Sequence, residues 1–227
     1  KIENSRKKGN INILKVDKDD NKTTIEGVEF DLLDSTGKNI IKHVKTDKNG
    51  KAEIKNLDIG KYILRETKTR KEYKIALEQN ITIEWGKTLN LTIENEKMKG
   101  KVKITKISED DNLITGEVAG TPIANVKFEI YDDSGKLVDT LITKTDGIAI
   151  SKDLVVGKYI VKEKETGEYY EIKENDFEVE ITKNGEVVGL TISNKSKTPP
   201  PEKPKEETPK IEVPPIEPIK KLPVTGY

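Results

Sequence analysis

Short runs in which apolar and polar residues alternate with a period of two recur along most of the chain: "INILKV" (11–16), "VEFDLL" (28–33), "KYILRE" (61–66) and "TLNLTIEN" (88–95). They are rich in Ile, Val, Thr, Tyr and Phe and are separated by "DSTGK", "DKNGK", "DDSGK" and "TDG", which supply turn residues. Half-buried antiparallel strands joined by tight turns have this signature. No 3.6-residue apolar stripe is long enough to predict a helix.

The strand pattern occurs twice. "GNINILKVDKDDN" (9–21) aligns with "GKVKITKISEDDN" (100–112), "GVEFDLLDSTGK" (27–38) with "NVKFEIYDDSGK" (125–136), "IGKYILRET" (59–67) with "VGKYIVKEK" (156–164), and "NLTIENEK" (90–97) with "GLTISNKS" (189–196). The order is the same in both copies, which predicts two small β-sandwiches in series, at 9–97 and 100–195. From 196 to 227 the pattern stops. Nine of the ten prolines lie between Pro199 and Pro223, interleaved with Lys and Glu, and the segment is expected to be a disordered, extended Pro-rich linker.

Parity along the strands exposes an anomaly. Ile11 and Ile13 are followed on the same face by Lys15, and Val102 and Ile104 by Lys106. Tyr62 and Leu64 lead to Glu66, Tyr159 and Val161 to Glu163; Leu91 and Ile93 lead to Asn95, Leu190 and Ile192 to Asn194. A single polar residue ending a stripe is ordinary, because strand ends emerge into water and lysine stems snorkel. The same Lys, Glu and Asn in both copies call for a chemical reason.

Lys, Glu and Asn in one apolar site have a specific use. An amine attacks a carbonyl only as the free base, and burial disfavours the ammonium. A carboxyl in the same surroundings favours its protonated form and can hydrogen-bond the carboxamide as an acid. The product would be a Lys–Asn isopeptide bond, with ammonia leaving. Such a reaction runs once per molecule and without a cofactor, so it is self-modification and not enzymatic turnover.

Composition narrows the alternatives. Charged residues make up 36% of the 227 residues and hydrophobic ones 33%, so each copy has limited core, which argues against a large parallel-sheet enzyme. Lys plus Arg balance Asp plus Glu at 41 each, leaving no global basic field for nucleic acid or anionic membrane. With no cysteine, disulfides, thiolate zinc sites and Cys nucleophiles are excluded. No run approaches the roughly 20 apolar residues of a membrane-spanning helix. His43, the only histidine, is expected on a solvated strand. "DKDDNKTTIEG" (17–27) has carboxylates spaced somewhat like a calcium loop, but Lys22 and Val28 occupy the positions of the turn glycine and bidentate glutamate, so it reads as a polar turn and no metal site is predicted.

Each copy resembles the collagen-adhesin B-type (Cna B-type) or SpaA-like pilin domain of Gram-positive surface proteins. The likeness rests on "LKVD" and "ITKIS" at the lysines, "GKYILRET" and "GKYIVKEK" at the glutamates, and "TIENEK" and "TISNKS" at the asparagines. It implies an all-β, prealbumin-like or reversed immunoglobulin-like sandwich. It also implies isopeptide links between Lys15 and Asn95 with Glu66 as catalyst, and between Lys106 and Asn194 with Glu163 as catalyst. The copies lack the family's usual Ala-Pro-x-Gly-Tyr turn after the glutamate and keep only its tyrosine, as Tyr73 and as Tyr169 or Tyr170; the second copy has extra residues around 114–124.

"LPVTG", formed by Leu222, Pro223, Val224, Thr225 and Gly226, is similar to the LPxTG motif that sortase cleaves after the threonine. Its expected partners are sortase and, through Thr225, peptidoglycan or a pilus subunit; the expected location is the extracellular, wall-anchored surface. The apolar segment and basic tail that usually follow such a motif are expected beyond Tyr227. The first eight residues align "KIEN" with "TIEN", so 1–8 are expected to be the remnant of a preceding repeat, with Asn4 the isopeptide partner of a lysine outside this chain. The combined expectation is a sortase-anchored structural stalk. Its competitor is a minor or basal pilin or an adhesin module that binds a host matrix protein.

Overall fold

The computed structural model describes residues 6–199. Among them the regular structure is all β. The first domain has seven strands: β1 (Lys8–Asp17), β2 (Glu29–Asp34), β3 (Ile40–Lys45), β4 (Lys51–Asp58), β5 (Gly60–Lys68), β6 (Gln79–Ile83) and β7 (Thr88–Asn95). They form a three-stranded sheet, β4-β1-β7, and a four-stranded sheet, β3-β2-β5-β6. The inward residues Ile11, Ile13, Phe30, Leu32, Ile54, Leu64, Ile83 and Ile93 form one core. Alternation of burial along β1 and β4 is the period-two pattern of strands with one buried face.

The second domain repeats the plan with β8 (Lys99–Ser108), β9 (Lys127–Asp132), β10 (Leu137–Ile142), β11 (Ile148–Ile150), β12 (Leu154–Val155), β13 (Gly157–Glu165), β14 (Asp176–Ile181) and β15 (Val187–Asn194). β10-β9-β13-β14 is the four-stranded sheet; β8 is flanked by β15 on one side and by β11 and β12 on the other. β11 and β12 share the place of β4, interrupted where the buried Ser151 hydroxyl accepts the Val102 N–H (2.9 Å). A separate core contains Val102, Ile104, Phe128, Ile130, Val161 and Ile192.

Two features set up the site. The first and last strands of each domain are parallel neighbours, with Lys15 opposite Ile93 and Lys106 opposite Ile192. Asn95 and Asn194 therefore lie two residues beyond the lysine's partner, on the same face. The domains follow directly: the Met98 N–H donates to the Glu72 carbonyl (2.8 Å), and the Met98 carbonyl accepts the Val156 N–H (3.0 Å).

The 1–8 reading, with Asn4, falls mostly outside the described residues. So do nearly all of the Pro-rich segment and the whole of Leu222, Pro223, Val224, Thr225 and Gly226.

Candidate functional site

The lysines come first because their burial is the most costly. Lys15 and Lys106 are fully buried, at 0% exposure, and are among the largest fully buried side chains. The backbone around each is fixed on both sides. Lys15 donates its N–H to the Gly50 carbonyl (2.8 Å), and its own carbonyl accepts the Ile25 N–H (2.9 Å); Lys106 does the same with Gly147 and Ile123. Gly50 has a φ of 69°, and a Cβ there would lie 2.6 Å from the Lys15 carbonyl oxygen. The turn glycine is thus required by its approach to the lysine as well as by its conformation.

The glutamates enter from the facing sheet. Glu66 on β5 pairs in register with Phe30, and Glu163 on β13 with Phe128; both carboxyls are buried. In the first domain the Lys15 Nζ lies 2.5 Å from Asn95 Oδ1 and 3.1 Å from Glu66 Oε2. The Asn95 amide nitrogen donates to Glu66 Oε1 at 2.6 Å. In the second domain Lys106 donates to Asn194 Oδ1 and sits 3.1 Å from Glu163 Oε2, while Asn194 donates to Glu163 Oε1 at 2.5 Å. All six residues singled out by strand parity are therefore brought together, three in each domain.

Burial, opposed by the neighbouring glutamate charge, pushes both lysines below their ordinary pKa, Lys106 to about 8. The free base is thereby more accessible than on a solvated lysine. A buried ion pair of this kind is a weak source of stability, since desolvation offsets its attraction. Turning the amine into a neutral amide would remove the buried cation.

Sequence parity missed one residue of each site. The second N–H of the Asn95 amide donates to Thr69 Oγ1 (2.8 Å), and that of Asn194 to Thr166 Oγ1 (2.9 Å). Each threonine follows its glutamate by three positions, an odd interval that regular alternation would send to the opposite face. A register shift after each glutamate reverses this: Phe30 pairs with Glu66 but Glu29 with Lys68, and Phe128 pairs with Glu163 but Lys127 with Glu165. The extra residue of the bulge returns the threonine to the glutamate's side. The recurrence of Thr at the same offset in both copies was the available signal.

Beside each site lies the retained tyrosine. It is Tyr73 in the first domain and Tyr170 in the second, both buried, whereas Tyr169 is exposed. Tyr73 donates to Asp17 Oδ2 (2.8 Å), which also meets Lys97 Nζ (2.6 Å). The other Asp17 oxygen accepts the Asp19 N–H (2.7 Å), so this carboxylate is committed within the polar turn. His43 lies on the exposed β3 with its ring nitrogen 2.7 Å from Asp31.

The family described as the SpaA prealbumin-like fold domain matches residues 9–97 and again 100–196, covering most of the chain. The chain belongs to this family. The tandem of SpaA-like domains expected from the repeated motifs is thus present. Among curated proteins, the trypsin-resistant surface T6 protein of Streptococcus pyogenes serotype M6 is 32% identical over 81 residues, 36% of this chain and 15% of that protein. Among solved structures, the Bacillus anthracis TIE protein superimposes with a TM-score of 0.71 at 29% identity, covering 84% of this chain and 34% of that one. The minor pilin GBS52 of Streptococcus agalactiae, at 22% identity, covers 86% of this chain and 99% of its own with a TM-score of 0.41. The present SpaA-domain chain thus spans about a third or less of the length of the first two proteins.

Proposed function

We propose that each SpaA-like domain closes a Lys–Asn isopeptide bond, Lys15 to Asn95 and Lys106 to Asn194, and that the linked pair serves as a stalk segment of a Gram-positive surface protein. The observation that carries this reading is the buried amine, carboxyl and carboxamide in mutual contact on β1, β5 and β7 of the first domain, and again on β8, β13 and β15 of the second.

The chemistry follows from the distances. Lys15 passes a proton to Glu66 Oε2, and its lone pair attacks Asn95 Cγ. The carbonyl electrons move to Oδ1. When they return, the Cγ–Nδ2 bond breaks, and the departing nitrogen, 2.6 Å from Glu66 Oε1 before reaction, takes the proton that Oε2 received as the carboxyl rotates about its Cγ–Cδ bond to present it. Nζ loses two protons in all: one leaves with ammonia, and the other remains on Glu66 until it exchanges with water. The carboxyl serves in turn as base toward the nucleophile and acid toward the leaving group, carrying the same proton between them. No metal or redox partner enters the balance.

A stalk role follows from where the links lie. They join the strands at which tension enters and leaves each domain, so a pull would bypass the 80 and 88 positions that separate the linked residues. Anchoring would come from Leu222–Gly226, cleaved after Thr225 and joined to peptidoglycan or a pilus subunit, which places the protein on the cell surface. Incubating the chain with a sortase and an amine acceptor should yield an adduct at Thr225, and Thr225→Ala should prevent it. Absence of the adduct from the unmutated chain would remove the anchoring half of the proposal.

A further inference from the structure

Each reaction centre has one member that reaches solvent. Lys15, Glu66 and Asn95 are buried, as are Lys106, Glu163 and Asn194, but Thr69 and Thr166 are half-exposed. Their hydroxyls contact the amide nitrogen, the atom that must leave as ammonia, at 2.8 and 2.9 Å. That nitrogen has only two hydrogens, and both are engaged, one by the glutamate and one by the threonine.

We infer that Thr69 and Thr166 anchor the leaving nitrogen and open its path to water. The inference rests on the isopeptide reading above. Before reaction, Asn95 Nδ2 donates to Glu66 Oε1 (2.6 Å). During reaction Glu66 carries the proton and must donate to the same nitrogen, so the N–H aimed at the carboxylate has to turn away. The bond to Thr69 Oγ1 holds the nitrogen while this reversal occurs. It leaves one N–H engaged and frees the nitrogen's electron pair, released as amide conjugation is lost, to turn toward Glu66. Once Cγ–Nδ2 has broken and the third hydrogen is in place, the ammonia lies against the hydroxyl of a half-exposed residue, the one neighbour of the nitrogen that is not buried. The bulge after the glutamate exists in both domains and brings the threonine into this position.

Full-length chain synthesised in a cell-free reaction, quenched in acid at intervals and weighed intact, gives the rate of ammonia loss. The second domain serves as an internal clock for changes in the first, and digestion of each sample assigns every link. The wild-type chain should lose two ammonias. Thr69→Val, which keeps the shape and removes the hydroxyl, should slow the first-domain link by on the order of tenfold or more while the second forms normally. Thr69→Ser should restore most of the rate, and Thr166→Val should give the mirror result. In a Glu66→Ala background, where no first-domain link forms, Thr69→Val should still give a cooperative denaturant transition for that domain, which separates slowed linking from failure to fold. Unaltered kinetics in Thr69→Val, or equal slowing by Ser and Val, would overturn the threonine's role with the link chemistry intact. A wild-type chain that loses no ammonia would overturn the underlying reading instead.

Discussion

The two domains agree at their centres and differ at the tyrosines beside them. In both, lysine, glutamate, asparagine and threonine come together with one difference: Lys106 donates to Glu163 Oε2 (3.1 Å), whereas the buried Glu66 Oε2, also 3.1 Å from the lysine nitrogen, accepts no hydrogen bond. At the tyrosine, the first domain uses a carboxylate on its own first strand: Asp17, opposite Asn95, takes Tyr73 and Lys97 together. In the second domain Ser108 stands opposite Asn194 and its hydroxyl turns to the Asp110 carbonyl (2.6 Å). Tyr170 instead donates to Glu117 Oε2 (2.9 Å), a carboxylate supplied by the extra residues of the 114–124 loop. Ser196 replaces Lys97 and gives its N–H to Asp110 Oδ1 (2.9 Å). If the clusters react as proposed, each atom has a role and no such exchange is tolerated, whereas a tyrosine needs only an acceptor within reach.

If that contrast is right, changes at the centre should dominate. Glu66→Ala should prevent the first link only, and Glu163→Ala the second only. Each unlinked domain should lose on the order of 4–5 kcal/mol of the stabilisation expected for closing so long a loop. Under single-molecule pulling, the first should release 80 positions, about 270 Å, and the second 88, about 300 Å. Neither extension should occur in the linked chain.

The next effect isolates the buried lysine. In an Asn194→Ala chain Lys106 remains an amine, with a folded-state pKa lowered to about 8 from 10.5. Between those values the unfolded chain holds the extra proton, so stability should rise with pH across this window, by on the order of 3 kcal/mol, and be flat below it. Asn194→Ala with Lys106→Met should lack that rise; equal pH profiles for the two variants would contradict the assigned environment of Lys106.

Smaller effects are expected at the tyrosines. Burial pushes the Asp17 carboxyl up, but its bonds from Lys97 and Tyr73 outweigh this and hold it at about 2, against an ordinary value of 3.8. Its contribution is present above the unfolded value and lost as pH falls through about 2. Asp17→Ser, which copies the second domain without its loop, should cost about 1–2 kcal/mol at neutral pH by denaturant unfolding. Glu117→Ala removes an exposed acceptor that water can replace and should cost about 0.5 kcal/mol. A reversed order would mean that the loop carboxylate carries the second domain's tyrosine contact more heavily than its exposure implies.

The contrast also explains what could be read in advance. Strand parity revealed Lys15, Glu66 and Asn95 and their counterparts because a charged or amide residue on an apolar face is visible in one dimension. It could not reveal Thr69 or Thr166, since a bulge is a pairing irregularity and pairing is not written in one strand. Asp17 was hidden differently: it belongs to a polar turn in sequence, and its partners Tyr73 and Lys97 lie far along the chain. The division of the β4 counterpart into β11 and β12 was equally illegible, because it depends on Ser151 meeting Val102 across the sheet.

The central claim is that both centres react. Intact mass of the folded wild-type chain should fall below the sequence mass by two ammonias, with Glu66→Ala and Glu163→Ala each restoring one. A wild-type chain at its full calculated mass would contradict the account.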